Sequence, residues 1–229
     1  AIGTLGFRGA ALAAISAVSR IELLTRTQDE TLGTALTVEA GVVVSQEEAG
    51  CPQGTTMAVR DLFYNTPARL KFTKKDSAEG AAVFAVVQRT ALSHPEISVK
   101  FIRDGKQELL TPGDGQLKSA VYAVMGRDIA LGFLPVKGSG DGMGAEGFAS
   151  LPACCRGTRG YQHFFVNGRY VKSRVMMAAV EEAYKNQRMV GKFPGCVIHL
   201  TVRPGEVDVN VHPTKTEVKF QREQAVFST

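Results

Sequence analysis

The chain has 229 residues, 44% of them hydrophobic and 21% charged, with mean hydropathy −0.02, a soluble globular composition sized for one large domain or two modest ones. No apolar run approaches the ~18 residues that a membrane-spanning helix needs, and the opening AIGTLGFRG carries neither the basic nor the apolar segment of a secretory signal. The net charge of +5 and pI near 9.1 point to an anionic partner rather than an acidic surface.

In chain order, residues 9–19 form a helix, with Leu12, Ile15 and Val18 on one stripe and Ser16 and Ser19 off it. RIELLTRT (20–27) alternates as a strand, and TALTVEAGVVVSQ (34–46) holds two strand-like runs around Gly41. GTTMAVRDLF (54–63) is a further strand, closed by the turn YNTPA. Residues 77–95 have helical spacing and stop at Pro95, and 97–111 read as a hairpin turning at Asp104-Gly105. PGDG (112–115) is the linker, and the domain boundary is placed there, giving domains 1–113 and 116–229.

Beyond the linker, QLKSAVYAVMG is a helix capped by Gly126. Residues 131–150 give strands broken by a glycine-rich tip at 138–144. YQHFFVNGRYV (161–171) is a hairpin turning at Asn167-Gly168. Residues 173–187 form a helix, and 195–211 two strands around Pro204-Gly205. Helices and hairpin-linked strands in both halves make the fold class α+β. The absence of an initiator Met and the abrupt end at QAVFST read as a piece of something longer.

The four cysteines (51, 154, 155 and 196) form no C-x-x-C pair and no His/Cys zinc spacing, so reduced thiols and no metal site are expected. His94, His163 and His199 have no partner at catalytic spacing and read as structural.

Four stretches carry chemistry. GTLGFRG (3–9) places three glycines and Arg8 ahead of a helix, which suits either a phosphate loop or a plain glycine-rich turn; it matches neither the P-loop nor the Rossmann spacing. GTT (54–56), by itself, is a strand start. VDVNVHPTKTEVKF (207–220) alternates until Pro213 and then offers Lys215 on a turn, as a phosphate ligand or a solvated lysine. From Gly147 to Val180 there are five cations, Arg156, Arg159, Arg169, Lys172 and Arg174, with aromatics interleaved and no Asp or Glu. Such a strip fits either sequence-independent contact with a nucleic-acid backbone or a solvated basic face. ARLKFTKK (68–75) is a second basic cluster.

Taken together, TLGFRG-AL (4–12), GTTMAVRDLFYNTPARLKF (54–72), FFVNGRYVKSR (164–174) and VDVNVHPTKTEVKF (207–220) resemble the MutL DNA mismatch repair family, in the family's order and spacing. DLFYNTPAR and VNVHPTK are the specific parts of that resemblance. It implies the C-terminal portion of a GHKL (Bergerat-type) ATPase sandwich over 1–113, followed by a transducer domain like ribosomal protein S5 domain 2 over 116–229. It also implies an ATP-dependent, dimerising DNA clamp with a MutS-type mismatch-recognition partner, working in the bacterial cytoplasm at the nucleoid, or in the nucleus of a eukaryote.

By the same resemblance, Gly6, Phe7, Arg8 and Gly9 hold the triphosphate through backbone donors and Thr55 lies by the adenine. Lys215 reaches the γ-phosphate as the catalytic lysine, and Arg174 faces DNA. Two departures stand out. Position 10 is Ala10 where the family has Glu, which touches the ordering of the lid more than phosphate contact. The family's first two ATPase motifs, with the water-activating Glu, the Mg²⁺-holding Asn and the adenine-reading Asp, precede GFRG and are not in this sequence. ATP with Mg²⁺ is therefore the expected cofactor, the metal's ligand lies upstream, and the chain alone is expected not to hydrolyse ATP. The alternatives are a gyrase B-like GHKL machine and a non-catalytic DNA-binding module.

Overall fold

The computed structural model describes residues 10–208 and 216–229. Packing groups the chain into two compact units, residues up to Glu79 and residues from Gly80 onward.

In the first unit, helix α1 (Ala10–Ser16) leads into strands β1 (Arg20–Arg26), β2 (Gly33–Glu39), β3 (Val42–Ala49) and β4 (Gly54–Arg60). They form one antiparallel sheet in the order β3-β2-β1-β4. Two strands meet at Ala40-Gly41, both at positive φ, as a tight hairpin turn requires. The junction between α1 and β1 is the buried point: Val18, Ser19 and Ile21 are all closed to solvent, and the Ser19 hydroxyl donates to the Ile15 carbonyl at 2.6 Å. A short helix, α2 (Pro67–Lys71), follows where the sequence suggested only a turn. Pro67 at its first position explains it, because a fixed φ and a missing N–H suit a helix start.

Helix α3 (Asp76–Ser93) carries Asp76 and Glu79 in its first turn, where the helix dipole favours acids, and buries Ala91 and Leu92 near its end. The hairpin β5 (Lys100–Arg103) and β6 (Lys106–Leu110) turns at Asp104 and Gly105, as expected. Residues 112–115 form a built turn rather than loose chain. The Asp114 carboxylate accepts from the Gln116 N–H at 2.9 Å and the Ser119 hydroxyl at 2.7 Å, and these bonds hold its pKa below the ordinary value. Helix α4 (Leu117–Met125) ends at Gly126 with φ +80, and a single turn, α5 (Arg127–Ala130), follows.

The second unit is organised by a five-stranded sheet, in the order β10-β9-β11-β8-β7. Its strands are β7 (Phe133–Gly140), β8 (Met143–Ser150), β9 (Gln162–Val166), β10 (Arg169–Val171) and β11 (Cys196–Thr201). Neighbours are antiparallel except β9 and β11, which are parallel and joined through helix α6 (Arg174–Ala183). The glycine-rich tip contracts to Asp141-Gly142: paired backbone carries Gly138, Gly140 and Gly144 inside the strands. Both sheet faces are covered. Met176 and Val226, with Phe164, Leu200 and Phe220, form one core. Leu92, Ala120, Val121, Phe165 and Val197 form the other. The C-terminal helix α7 (Glu223–Ser228) and the two-residue pair β12 (Val207–Asp208) and β13 (Lys219–Phe220) complete the unit. All four cysteines are unpaired.

Candidate nucleotide and nucleic-acid sites

Thr55, expected beside adenine, is exposed near the start of β4 and sits opposite Thr25 of β1. Their hydroxyl oxygens are 2.8 Å apart. Gly54 precedes it with φ +116 and open space where a Cβ would stand. Thr55 therefore presents a small hydroxyl on the edge strand β4, backed by the half-buried Thr25 hydroxyl on β1, a donor-acceptor set suited to a base edge. Thr25 was not singled out in the sequence. Only strand pairing, across a separation of thirty positions, brings it to Thr55.

DLFYN does something other than end a strand. The Arg20 guanidinium is 2.8 Å from the Asp61 carboxylate and lies 4.6 Å over the Tyr64 ring. The Phe63 N–H donates to the Val18 carbonyl at 2.7 Å, and the Asn65 amide to the Ala17 carbonyl at 2.9 Å. Asp61 and Phe63 adopt positive φ to make these contacts. The motif thus clamps the α1–β1 junction, at the C-terminal end of the first helix.

Gly6, Phe7, Arg8, Gly9 and Lys215 lie outside the described residues. On either side of the segment holding Lys215, β12 and β13 pair antiparallel, and the Thr216 carbonyl accepts from the Lys172 N–H at 2.6 Å.

The basic strip is divided by the fold. Lys172 and Arg174 are exposed at the N-terminus of α6, where the Ser173 hydroxyl caps the Met176 N–H at 3.2 Å. Arg169 stands opposite Val166 at the start of the edge strand β10. Arg159 lies seven residues along α6 from that end, or about 10 Å at helical rise, because it binds Glu181 through two bonds of 2.6 and 3.0 Å. That guanidinium holds the Glu181 carboxyl below the usual range, with help from the Gln162 amide. Arg159 also lies 4.0 Å over the Phe193 ring, and Arg156 pairs with Phe193 through the backbone. The interleaved aromatics turn inward: Phe164 and Phe165 are buried, and Tyr170 packs edge-on against Phe165 with Arg89 over its own ring.

His94, His163 and His199 have structural settings. His94 Nδ1 is 3.0 Å from Glu96, and His199 stacks on Phe165 with Nε2 3.1 Å from the Leu92 carbonyl. Burial, and then the nearby Arg89 charge, push His163 down to about 4. Burial likewise pushes the Cys196 thiol up to about 12, an inert core thiol. Among the described residues, no three His, Cys, Asp or Glu side chains gather as a metal would need, and no helix is long and apolar enough to cross a membrane.

Solved structures of DNA repair proteins share this α+β fold. The crystal structure of the N-terminal domain of a DNA repair protein superposes over 99% of this chain and 74% of its own, with TM-score 0.83 and 24% identity. The Aquifex aeolicus MutL ATPase domain complexed with ADP covers 85% of this chain and 72% of its own, with TM-score 0.70 and 27% identity. Residues 121–229 match the family model described as DNA mismatch repair protein, C-terminal domain. The DNA mismatch repair protein MutL of Agathobacter rectalis is 46% identical over 226 residues, which is 99% of this chain and 35% of that protein. The chain belongs to the MutL DNA mismatch repair family. It spans 35–40% of the length of such relatives.

Proposed function

We propose that this chain is the nucleotide- and DNA-handling part of a mismatch repair protein of the MutL type, an ATP-dependent, dimerising clamp that couples mismatch recognition to later repair. The observation that carries this is the 46% identity to a MutL protein across 99% of the chain. Membership of that family favours it over a gyrase-like machine.

In this reading residues 1–113 serve the GHKL-type nucleotide domain and 116–229 the transducer domain resembling ribosomal protein S5 domain 2. In the whole protein, hydrolysis of ATP would drive the clamp cycle, while this chain alone is expected not to hydrolyse it. Gly6, Phe7, Arg8 and Gly9 bind its phosphates, and Lys215 bears on the γ-phosphate as a point charge. Thr55 contacts the base, a role supported by an exposed hydroxyl whose hydrogen bond runs to Thr25. The Mg²⁺ ligand belongs to motifs that precede GFRG in the family. Arg156, Arg169, Lys172 and Arg174 contact DNA phosphates, whereas Arg159, tied to Glu181, serves to hold the strip in place. A MutS-type protein and a second copy of the chain are the protein partners, and the bacterial cytoplasm is the setting.

Binding of a fluorescent ATP analogue, set beside binding of a duplex oligonucleotide at increasing salt, tests the reading. Lys215→Ala and Thr55→Val are expected to weaken nucleotide binding about fivefold or more, a lost hydrogen bond or charge contact. Arg174→Ala is expected to weaken DNA binding and lower the salt slope by about one. DNA binding without any nucleotide affinity would leave only the binding-module reading. Binding of neither ligand overturns both.

A further inference from the structure

We propose that the loop between α6 and β11, residues 184–195, is a second DNA-contacting element, with Lys192 on the phosphates, Arg188 holding the loop closed, and Met189 and Val190 against the groove. The proposal rests on the DNA-clamp reading above and adds an element outside the basic strip.

The loop is held, not loose. The Gln187 and Arg188 N–H groups both donate to the Tyr184 carbonyl at 3.0 Å, and the Lys192 N–H donates to Met189 at 3.1 Å. The Arg188 guanidinium closes the loop on the Lys192 carbonyl, and Gly191 takes the positive φ of +75 that the turn needs. At the base, Phe193 and Arg156 exchange backbone bonds of 2.8 and 2.7 Å, and the Gln162 amide donates to the Pro194 carbonyl at 3.1 Å. The Arg159 and Arg188 guanidiniums lie 4.0 and 5.7 Å from the Phe193 ring centre.

A loop so fixed carries at its apex Met189, 74% exposed, and Val190, 102% exposed. Two large apolar side chains held side by side in water contribute nothing to the core and make a small apolar tip. The charge around them names the partner's sign. From Ala183 through the loop to Gly195 there is no Asp or Glu, while Lys185, Arg188 and Lys192 are present. The two acids just before, Glu181 and Glu182, are paired with Arg159 and Lys185.

A polyanion with an apolar lining fits that pattern. Cations on phosphates flanking an apolar wedge are how groove-binding proteins grip and bend a duplex. Continuity favours DNA over an anionic lipid surface: Arg156 of the basic strip is paired directly to the loop through Phe193. Two apolar residues also form a far smaller face than a membrane-lying helix offers.

The test is fluorescence anisotropy of a labelled duplex across a salt series, with the present chain. The variants are Lys192→Ala, the double variant Met189→Ser/Val190→Ser, and Arg174→Ala as reference for the strip. Thermal melts confirm that each variant folds. Lys192→Ala is expected to lower the slope of log affinity against log salt by about one, and the double variant to weaken binding about fivefold at unchanged slope. If Arg174→Ala weakens binding while both loop variants match the unmodified chain, the loop proposal fails and the strip stands. If the unmodified chain shows no salt-dependent binding, the clamp reading fails and takes the loop with it. Sedimentation with phosphatidylserine vesicles that depends on Met189 and Val190, at unchanged DNA affinity, assigns the loop to lipid and overturns the proposal.

Discussion

The hydroxyl oxygens of Thr25 and Thr55 lie 2.8 Å apart across the paired strands β1 and β4. Each fixes where the other's proton points, so a change at Thr25 reaches a ligand at Thr55 without touching it. Thr25→Val is expected to weaken binding of a fluorescent ATP analogue about fivefold, roughly the value of one net hydrogen bond, while Thr25→Ser keeps it. A nearly unchanged melting temperature would accompany this, because the bond itself is open to water. Equal affinity for the Val and Ser variants would remove Thr25 from the site.

Arg159 belongs to the basic strip by sequence but is committed to Glu181 in space. Arg159→Ala is therefore expected to lower the melting temperature while leaving the salt dependence of DNA binding nearly unchanged. Arg174→Ala should do the reverse. Because Arg159 lowers the Glu181 pKa, the pair's contribution is present above the ordinary glutamate range. It is lost as pH falls through the lowered value, so the variant's melting temperature should depend less on pH at that acid end.

His163 gives a separate pH dependence. Its pKa falls from 6.5 to about 4 because it is buried, with Nδ1 closed off and without a hydrogen bond. The unfolded chain takes up the proton more readily, so stability is full above pH 6.5 and declines as pH falls toward 4. The loss is roughly 3 kcal/mol in all. His163→Leu is expected to flatten this limb in melts between those two pH values. A persisting slope of the same size would place the titration elsewhere.

Asn167 combines a turn with a clamp. It adopts φ +48, its amide donates to the Val202 carbonyl at 3.0 Å, and its side-chain oxygen accepts from the Val202 N–H at 3.0 Å. Asn167→Ala is expected to cost about 2 kcal/mol in urea unfolding, two hydrogen bonds and a left-handed residue that Ala tolerates poorly. Asn167→Asp keeps the acceptor and loses the donor, so it should fall between. A cost under about 0.5 kcal/mol for Ala would show the clamp to be idle.

Local chemistry made much of this legible. Asp104-Gly105 and Asn167-Gly168 are turns in any setting, since short polar residues and glycine accept positive φ. Gly126 ends a helix for the same reason, and alternation in RIELLTRT marks a strand whatever it pairs with. The short helices α2, α5 and α7 were not legible, because segments of four to six residues show no helical period.

The sequence by itself determined the family, through motifs whose residue types and order are rare enough to need no structure. It also determined the cationic character of the chain and the positions of its tight turns. Only the tertiary structure decided what those motifs touch. DLFYN became a clamp on the α1–β1 junction, the basic strip was divided by Glu181, and Thr25 was brought to Thr55. The physical reason is that turns and caps are settled within a few bonds. Contacts such as the Phe63 N–H to Val18 and Arg159 to Glu181 exist only once strands pair and helices pack, and no local pattern encodes which distant residue arrives.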